Sequence, residues 1–319
     1  MPMNPAEHKQ AMLRLVQSAT LSERELQVLY ERATDPSYWR QRHPHLSIDA
    51  QGAREAIEAR PLDEPEIRAQ AEQLRTEGYF HTRPVVSPAM VDRLRSCVES
   101  LRADGWPLAF SFVFDEFWQI VRSPSLTAIV RAFLGESYLQ NSLVWTYYVA
   151  PMKGAKGWPP HSDSRGQSRL TVWTPLTEAN LLNGCMCVLP MDRVPGTLPP
   201  SYRDIKSVTA DELSQLLQSV KPLPAIPGAW LGWHHQLIHW GSMSTDDAQA
   251  PRISIAVEFV ASTAEPRDQE RPLIHALQLP SFEDRLKMVG KAILTYRRFE
   301  PLMNRFEPLA LLLTSQRPN

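Results

Sequence analysis

The chain has 319 residues, enough for one large domain or for a domain with appended pieces. Hydrophobic residues make up 43% and charged residues 22%, a globular balance that excludes a fibre or a disordered chain. Lys and Arg number 34 against 35 Asp and Glu, a formal charge of -1, which excludes a nucleic-acid binder working through a broadly basic surface.

The first residues, MPMNPAEHKQAMLRLVQ, lack the apolar stretch of a secretory signal. No window approaches the roughly 18 consecutive apolar residues of a membrane span, and the final SQRPN is no peroxisomal address. A soluble, cytoplasmic protein with no membrane or nucleic-acid partner is expected. Cys97, Cys185 and Cys187 are odd in number, with the last two one residue apart. Neither a disulfide framework nor a CxxC metal motif follows, so reduced thiols are expected.

Residues 20–125 read mainly as helices. TLSERELQVLYERA offers Thr20 as an N-cap with Glu23 three residues on, and Leu26, Leu29 and Tyr30 recur at helical spacing. DEPEIRAQAEQLRTEG and SPAMVDRLRSCVESLRADG follow the same pattern, a cap or Pro at the start and Gly at the end. Phe112 and Phe114 lie in FSFVFDEFW, residues 110–118, a segment suited to packing between helix and sheet or to lining an apolar substrate pocket.

From about residue 137 the texture changes to short aromatic and β-branched runs punctuated by Pro and Gly. SLVWTYYVAP, RLTVWTPL, CMCVLP, GAWLGWHHQLIHW and RISIAVEFV are predicted strands. Asn183-Gly184, ahead of CMCVLP, predicts a hairpin. The segment at about 191–227 interrupts the β texture with prolines around one short helix, TADELSQLLQSV. SFEDRLKMVGKAILTYRRF returns to helical periodicity, with Ser281 and Asp284 spaced as a cap. The expected organisation is a helical extension over 1–75, a mainly β core over 76–262 with an insertion at about 191–227, and a C-terminal helical segment over 263–319. Strands at this spacing point to an antiparallel sandwich or jelly roll with flanking helices.

In an extended segment residues two apart share a face, so His161 and Asp163 of PPHSDSRGQSRLTVW can present an imidazole and a carboxylate to one ion. Alone, the triplet is a weak signal and reads more readily as a polar loop or turn. A third ligand would come from WHHQLIHWG, where His234, His235 and His239 are candidates and His235 shares parity with His239. Two histidines and one carboxylate form the facial set that binds Fe(II) and leaves positions open for substrate and oxygen. Arg252 follows His239 by 13 residues, and Ser254 lies on its strand face while Ile253, Ile255, Val257 and Phe259 point the other way. A guanidinium and a hydroxyl side by side suit a carboxylate. Arg165 and Arg169 either sit in solvent or meet an anionic substrate near the metal.

These pieces, in this order over residues 78–260, resemble the phytanoyl-CoA dioxygenase family of Fe(II)- and 2-oxoglutarate-dependent oxygenases. EGYFHTRPVVSPAMVDRLRSCVESL resembles the family's opening strand and helix, and PSLTAIVRAFLGESY its next helix. HSD matches its H-x-D triplet, TVWTPLTEANLLNGCMCVLPMDR its run through Asn-Gly-Cys, and IPGAWLGWHHQLIHWGS with RISIAVEF its distal histidine and arginine. The resemblance implies a double-stranded β-helix of the cupin-like kind, with Fe(II), 2-oxoglutarate and O2 as cofactors. It also implies His161, Asp163 and His239 as metal ligands, and Arg252 on the far carboxylate of 2-oxoglutarate beside Trp173. Thr146 and Tyr148 fall on the strand that touches the cosubstrate, and Ser242 matches the serine after the distal histidine when Trp240 is counted as inserted. The implied reaction is hydroxylation of a small metabolite or natural-product intermediate by a monomer or homodimer. The competing readings are a metal-dependent jelly-roll enzyme without 2-oxoglutarate and a non-catalytic small-molecule sensor.

Overall fold

The computed structural model describes residues 21–48, 59–163, 168–193, 209–265, 274–275, 279–297 and 299–315. Helix α1 (Glu23–Thr34) opens on a capping box in which Ser22 and Glu25 exchange side-chain to backbone bonds. The cap therefore sits two residues after the predicted Thr20, which lies outside the described residues. Helix α2 (Pro36–Arg42) is capped by Asp35, α3 (Glu64–Thr76) by an Asp63–Glu66 box, and α4 (Pro88–Ala103) by Ser87. A 3-10 turn (Leu108–Val113), α5 (Asp115–Val121) and α6 (Pro124–Leu134) complete the N-terminal layer.

Among the described residues nine strands make two antiparallel sheets. They are β1 (Tyr79–His81), β2 (Ser137–Val149), β3 (Arg169–Pro175), β4 (Met186–Leu189), β5 (Lys221–Leu223), β6 (Leu231–His234), β7 (Ile238–Gly241), β8 (Arg252–Ala261) and β9 (Ile274–His275). The larger sheet runs β1-β6-β3-β8-β2-β9 and the smaller β5-β4-β7. Helix α7 (Ala210–Ser219) precedes β5, and α8 (Phe282–Tyr296) and α9 (Glu307–Ser315) follow the sheets. This is the expected jelly roll, two antiparallel sheets with helices before and after them. No helix among the described residues is long and apolar enough to cross a membrane.

Alternation along the strands divides the interior into two cores. Leu170 and Val172 of β3, with Ile253, Ile255, Val257 and Phe259 of β8, turn outward from the sandwich and pack under α4, the 3-10 turn, α8 and α9. Trp173, Val188, Leu231 and Trp233 turn inward and fill part of the space between the sheets. Phe112 and Phe114 belong to the helical core, fully buried. Phe112 packs on Phe117 and Trp118, and Phe114 on Trp39 and His43. They do not line the chamber between the sheets, because the 3-10 turn that carries Phe112, and Phe114 just after it, pack into the helical core.

Two predicted connections are corrected. GAWLGWHHQLIHW is not one strand: the chain turns at His235-Gln236, so β6 joins the larger sheet and β7 the smaller. Asn183-Gly184 forms a corner between the sheets, since β3 and β4 are not partners. Gly184 takes φ +87 with its α-carbon against the Ser242 carbonyl, while the Asn183 carboxamide donates to the Glu178 carbonyl and accepts from the Asn180 amide. Positive φ is what Asn-Gly supplies; which strands it joins is decided elsewhere. The cysteines are free and buried.

A buried ion pair between Asp115 of α5 and Arg285 of α8 ties the N-terminal layer to the C-terminal helix. Arg285 also donates from Nη1 to the Val113 carbonyl at 2.8 Å and from Nε to the Pro280 carbonyl at 2.9 Å. Losing one partner strands a buried charge. Arg285→Met should therefore destabilise the fold by about 3–5 kcal/mol, and adding Asp115→Asn should recover part of that loss; urea unfolding of the single and double variants measures both.

Candidate metal centre and cosubstrate pocket

The centre is built on a backbone pair. His161 donates its amide to the His239 carbonyl at 3.1 Å, and His239 returns the bond at 3.0 Å. Opposed residues of an antiparallel pair project side chains to the same face, and the two imidazole centroids lie 4.4 Å apart. Asp163, two residues on, turns to the same side. The ligand atoms of His161, Asp163 and His239 all lie within 4.8 Å of one another. Asp163 Oδ1 is 3.5 Å from His161 Nε2 and 3.6 Å from His239 Nε2.

Each of the three is held by its other polar atom. His161 Nδ1 lies 2.7 Å from the Pro159 carbonyl and His239 Nδ1 3.0 Å from that of Leu237. A carbonyl only accepts, so Nδ1 carries the proton and Nε2 presents its lone pair. Asp163 Oδ2 accepts from the Thr171 hydroxyl at 2.7 Å and the Trp233 indole N–H at 3.0 Å, leaving Oδ1 toward the histidines. The Trp233 ring also lies against His239, with centroids 4.5 Å apart. Thr171 and Trp233 stand directly opposite each other on β3 and β6, so one cross-strand pair of the larger sheet fixes the carboxylate.

Charge states follow from these contacts. Burial alone would push the Asp163 carboxyl up, but His239, His161 and the Thr171 hydroxyl outweigh it and hold the group well below the usual carboxylate range. Burial lowers His239 to about 4 despite the facing carboxylate. Burial also pulls His161 down, but Asp163 outweighs it and raises the imidazole. Two imidazole nitrogens and one carboxylate oxygen, converging from one side, are the donor set of a non-heme Fe(II) site, and ionised Asp163 and neutral His239 are in the ligating state at neutral pH.

Beside this group a chamber of about 660 Å3 opens between the sheets, lined in part by Trp173, Arg252, Ser254, Gly157 and Gly241. Arg252 starts β8, is 2% exposed, and donates from Nη1 to the Gly184 carbonyl at 2.6 Å. Burial lowers it to about 10, so the guanidinium stays charged at neutral pH. Among the described residues no carboxylate pairs with it, and its Nε is buried without a hydrogen-bond partner. Glycines flank the guanidinium, and a side chain at either would crowd it: a Cβ on Gly157 would stand 2.7 Å from Nη2, and one on Gly241 2.9 Å from both Nη atoms. A buried cation with an unmet donor, in the same chamber as the three ligands, fits the distal carboxylate of 2-oxoglutarate.

The structure brings together His161, Asp163, His239, Arg252, Ser254 and Trp173. It turns Thr146 and Tyr148 away. Thr146 is bonded to the Ser111 hydroxyl at 2.7 Å in the helical core, and Tyr148 lies under the Arg102 guanidinium at 4.2 Å. Their neighbours Trp145 and Tyr147 face the chamber, and burial pushes the Tyr147 phenol up to about 12. Ser242 is outside the lining and donates to the Cys185 carbonyl at 3.0 Å. Arg169 is 3% exposed and paired with Glu258 at 2.5 Å, so it meets neither solvent nor substrate. Arg165 lies outside the described residues. His235 sits in the β6–β7 turn against the Arg169 backbone and is no part of the metal group; the turn breaks the parity it shares with His239. Thr171, Trp233 and the two glycines carry no motif that marks them in the sequence.

Comparison with known proteins agrees with this geometry. The family model described as phytanoyl-CoA dioxygenase matches residues 74–250. No curated protein sequence matches significantly. Among solved structures, the chain is similar to the non-heme monooxygenase ThoJ in its apo form at 19% identity and a TM-score of 0.52, covering 75% of this chain and 99% of that one. It is also similar to the non-heme alpha-ketoglutarate-dependent epimerase SnoN from nogalamycin biosynthesis at 18% identity and a TM-score of 0.50, covering 64% and 85%. At such identities the structures speak for the shared fold, while the family match spans more than half of the 319 residues. The chain thus belongs to the phytanoyl-CoA dioxygenase family of Fe(II)- and 2-oxoglutarate-dependent oxygenases.

Proposed function

We propose that the protein hydroxylates an unactivated C–H bond of a small metabolite or natural-product intermediate, using Fe(II), 2-oxoglutarate and O2. His161, Asp163 and His239 hold the iron, Arg252 and Ser254 take the far carboxylate of 2-oxoglutarate, and Trp173 walls its pocket. The catalytic core spans 76–262, with the described helices of segments 1–75 and 263–319 packed on it. The observation that carries the reading is the buried Arg252, whose charge and free Nε call for an anion in the chamber of the metal group.

When bound, the iron and its cosubstrate supply the oxidising chemistry, with one atom of O2 going to the substrate and the other to succinate as CO2 leaves. The chain's own residues prepare the site. Thr171 and Trp233 aim Asp163, and the carbonyls of Pro159 and Leu237 fix the histidine tautomers. Gly157 and Gly241 leave room for the guanidinium. Asp163 also fills the position that a halide would need, which favours hydroxylation over halogenation. A jelly-roll metal enzyme without 2-oxoglutarate has no use for the buried guanidinium.

Anaerobic addition of Fe(II) and 2-oxoglutarate should produce a weak visible charge-transfer band, and a folded sample that shows none would overturn the assignment. Arg252→Ala should raise the 2-oxoglutarate concentration needed for that band by about 100-fold or more, as expected for losing a buried charged partner, while Fe(II) affinity holds. An unchanged requirement would favour the enzyme without 2-oxoglutarate. Thr171→Val and Trp233→Phe should each weaken Fe(II) binding by about 10- to 100-fold, the usual effect of removing a group that orients a ligand; competition against a chelator reads this directly.

A further inference from the structure

One side of the chamber is aromatic and is used by neither the metal group nor the cosubstrate residues. Trp145 and Tyr147 of β2 turn into the cavity together, since residues two apart on a strand share a face. Their rings stack, with centroids 5.3 Å apart and planes 19° from parallel, and the Tyr147 hydroxyl donates to the Lys156 carbonyl at 3.1 Å. Trp158 comes from the segment before β3. Its carbonyl accepts from the Gly241 amide at 3.2 Å, so the backbone contacts that set His161 opposite His239 place this ring as well.

Tyr296, at the end of α8, joins the group from the other end of the chain. It meets Trp145 with ring centroids 3.7 Å apart and Trp158 at 5.7 Å, and Trp145 and Trp158 meet edge to face at 5.5 Å. Trp158 lies 5.4 Å from the His161 ring and 4.4 Å from that of Phe299, which is 49% exposed. Rings in contact thus run from the surface to the metal group.

Trp145, Tyr147 and Trp158 are only half-buried although each lies in the chamber wall, so part of each ring is left bare toward the cavity. Ring faces are electron-rich and ring edges electron-poor, and such walls favour flat, polarisable ligands through offset and edge contacts. Charge does not compete with this. Outside the metal group and Arg252, the charged lining residues are Glu258, paired with Arg169 at 2.5 Å, and Lys291, which is likewise already engaged. A chamber of about 660 Å3 has the size of a small-molecule site.

Building on the oxygenase reading, we propose that the substrate is a small molecule with a flat aromatic or conjugated body that lies against Trp145 and Trp158. These two indoles select it by ring contact over a saturated molecule of the same skeleton. Burial of apolar area alone predicts the reverse order, because the saturated skeleton has the larger apolar surface.

The test uses the full chain loaded anaerobically with Fe(II) and saturating 2-oxoglutarate. Calorimetric titration compares 2-naphthylmethanol with decahydro-2-naphthylmethanol, which share a skeleton and a hydroxyl and differ in aromaticity. The naphthyl alcohol should bind about fivefold or more tightly, the margin of one or two ring contacts. Trp145→Leu and Trp158→Leu should each abolish that preference, while Trp158→Phe should retain part of it. Equal or tighter binding of the saturated alcohol, no binding of either, or a preference that survives both Leu variants would overturn the proposal. The visible 2-oxoglutarate band, read in the same samples, shows that each variant keeps its site and separates the two ideas. If the band forms and the preference is missing, the substrate assignment alone fails; if the band never forms in the unaltered chain, the oxygenase reading fails.

Discussion

The reciprocal hydrogen bonds between His161 and His239 are the constraint on which the site depends. They attach the segment before β3 to the edge of the smaller sheet and place both imidazoles on one face at a fixed separation. Asp163 then has to be supplied from two residues further along, and its outer oxygen is caught by Thr171 and Trp233 of the larger sheet. The metal group is thereby a bridge: its histidines are positioned by one sheet and its carboxylate by the other. A change in how the sheets face each other would move Asp163 against the histidines, so packing between the sheets sets ligand geometry.

Arg252 presents the opposite situation, a group held in place but not satisfied. A desolvated guanidinium is unfavourable unless its donors are met, and here a single carbonyl, that of Gly184, takes a strong bond. The corner at Asn183-Gly184 thus serves the site, delivering that carbonyl to the guanidinium. Gly157 and Gly241 allow the backbone to close around the head group. A dicarboxylic cosubstrate entering this space would relieve the remaining desolvation, so that part of its affinity comes from a deficit already present in the fold.

The portion of the site legible in the sequence is the portion decided inside a single strand. Arg252 and Ser254 share a face because alternation along RISIAVEFV is unambiguous, with large apolar residues on the other face. VWTYYV of β2 gives no such signal, because apolar and aromatic residues fall on both faces. Its phase is set by pairing with β8, where Tyr148 opposes Ile253 and Tyr147 opposes Ser254. Thr146 and Tyr148 accordingly share the outward face of Ile253 and Ile255, and Tyr147 the chamber. The His235 parity failed for a related reason, since a turn at His235-Gln236 lies within what reads as one apolar run. Thr171 and Trp233 were invisible because their role exists only across the β3–β6 pair.

The helices show a further limit. Periodicity in SFEDRLKMVGKAILTYRRF identifies an amphipathic helix and its cap at Ser281, but not what either face meets. One face joins the helical core, and the Asp115–Arg285 pair fixes its rotation about its own axis. On the same helix Lys291, Leu294 and Thr295 line the chamber. A buried ion pair near the start of α8 thus anchors the helix that, about two turns later, lines the chamber. The metal group and Arg252 come from strands and from the segment before β3, a helix beyond 280 lines the same chamber, and Arg285 ties that helix to the N-terminal layer.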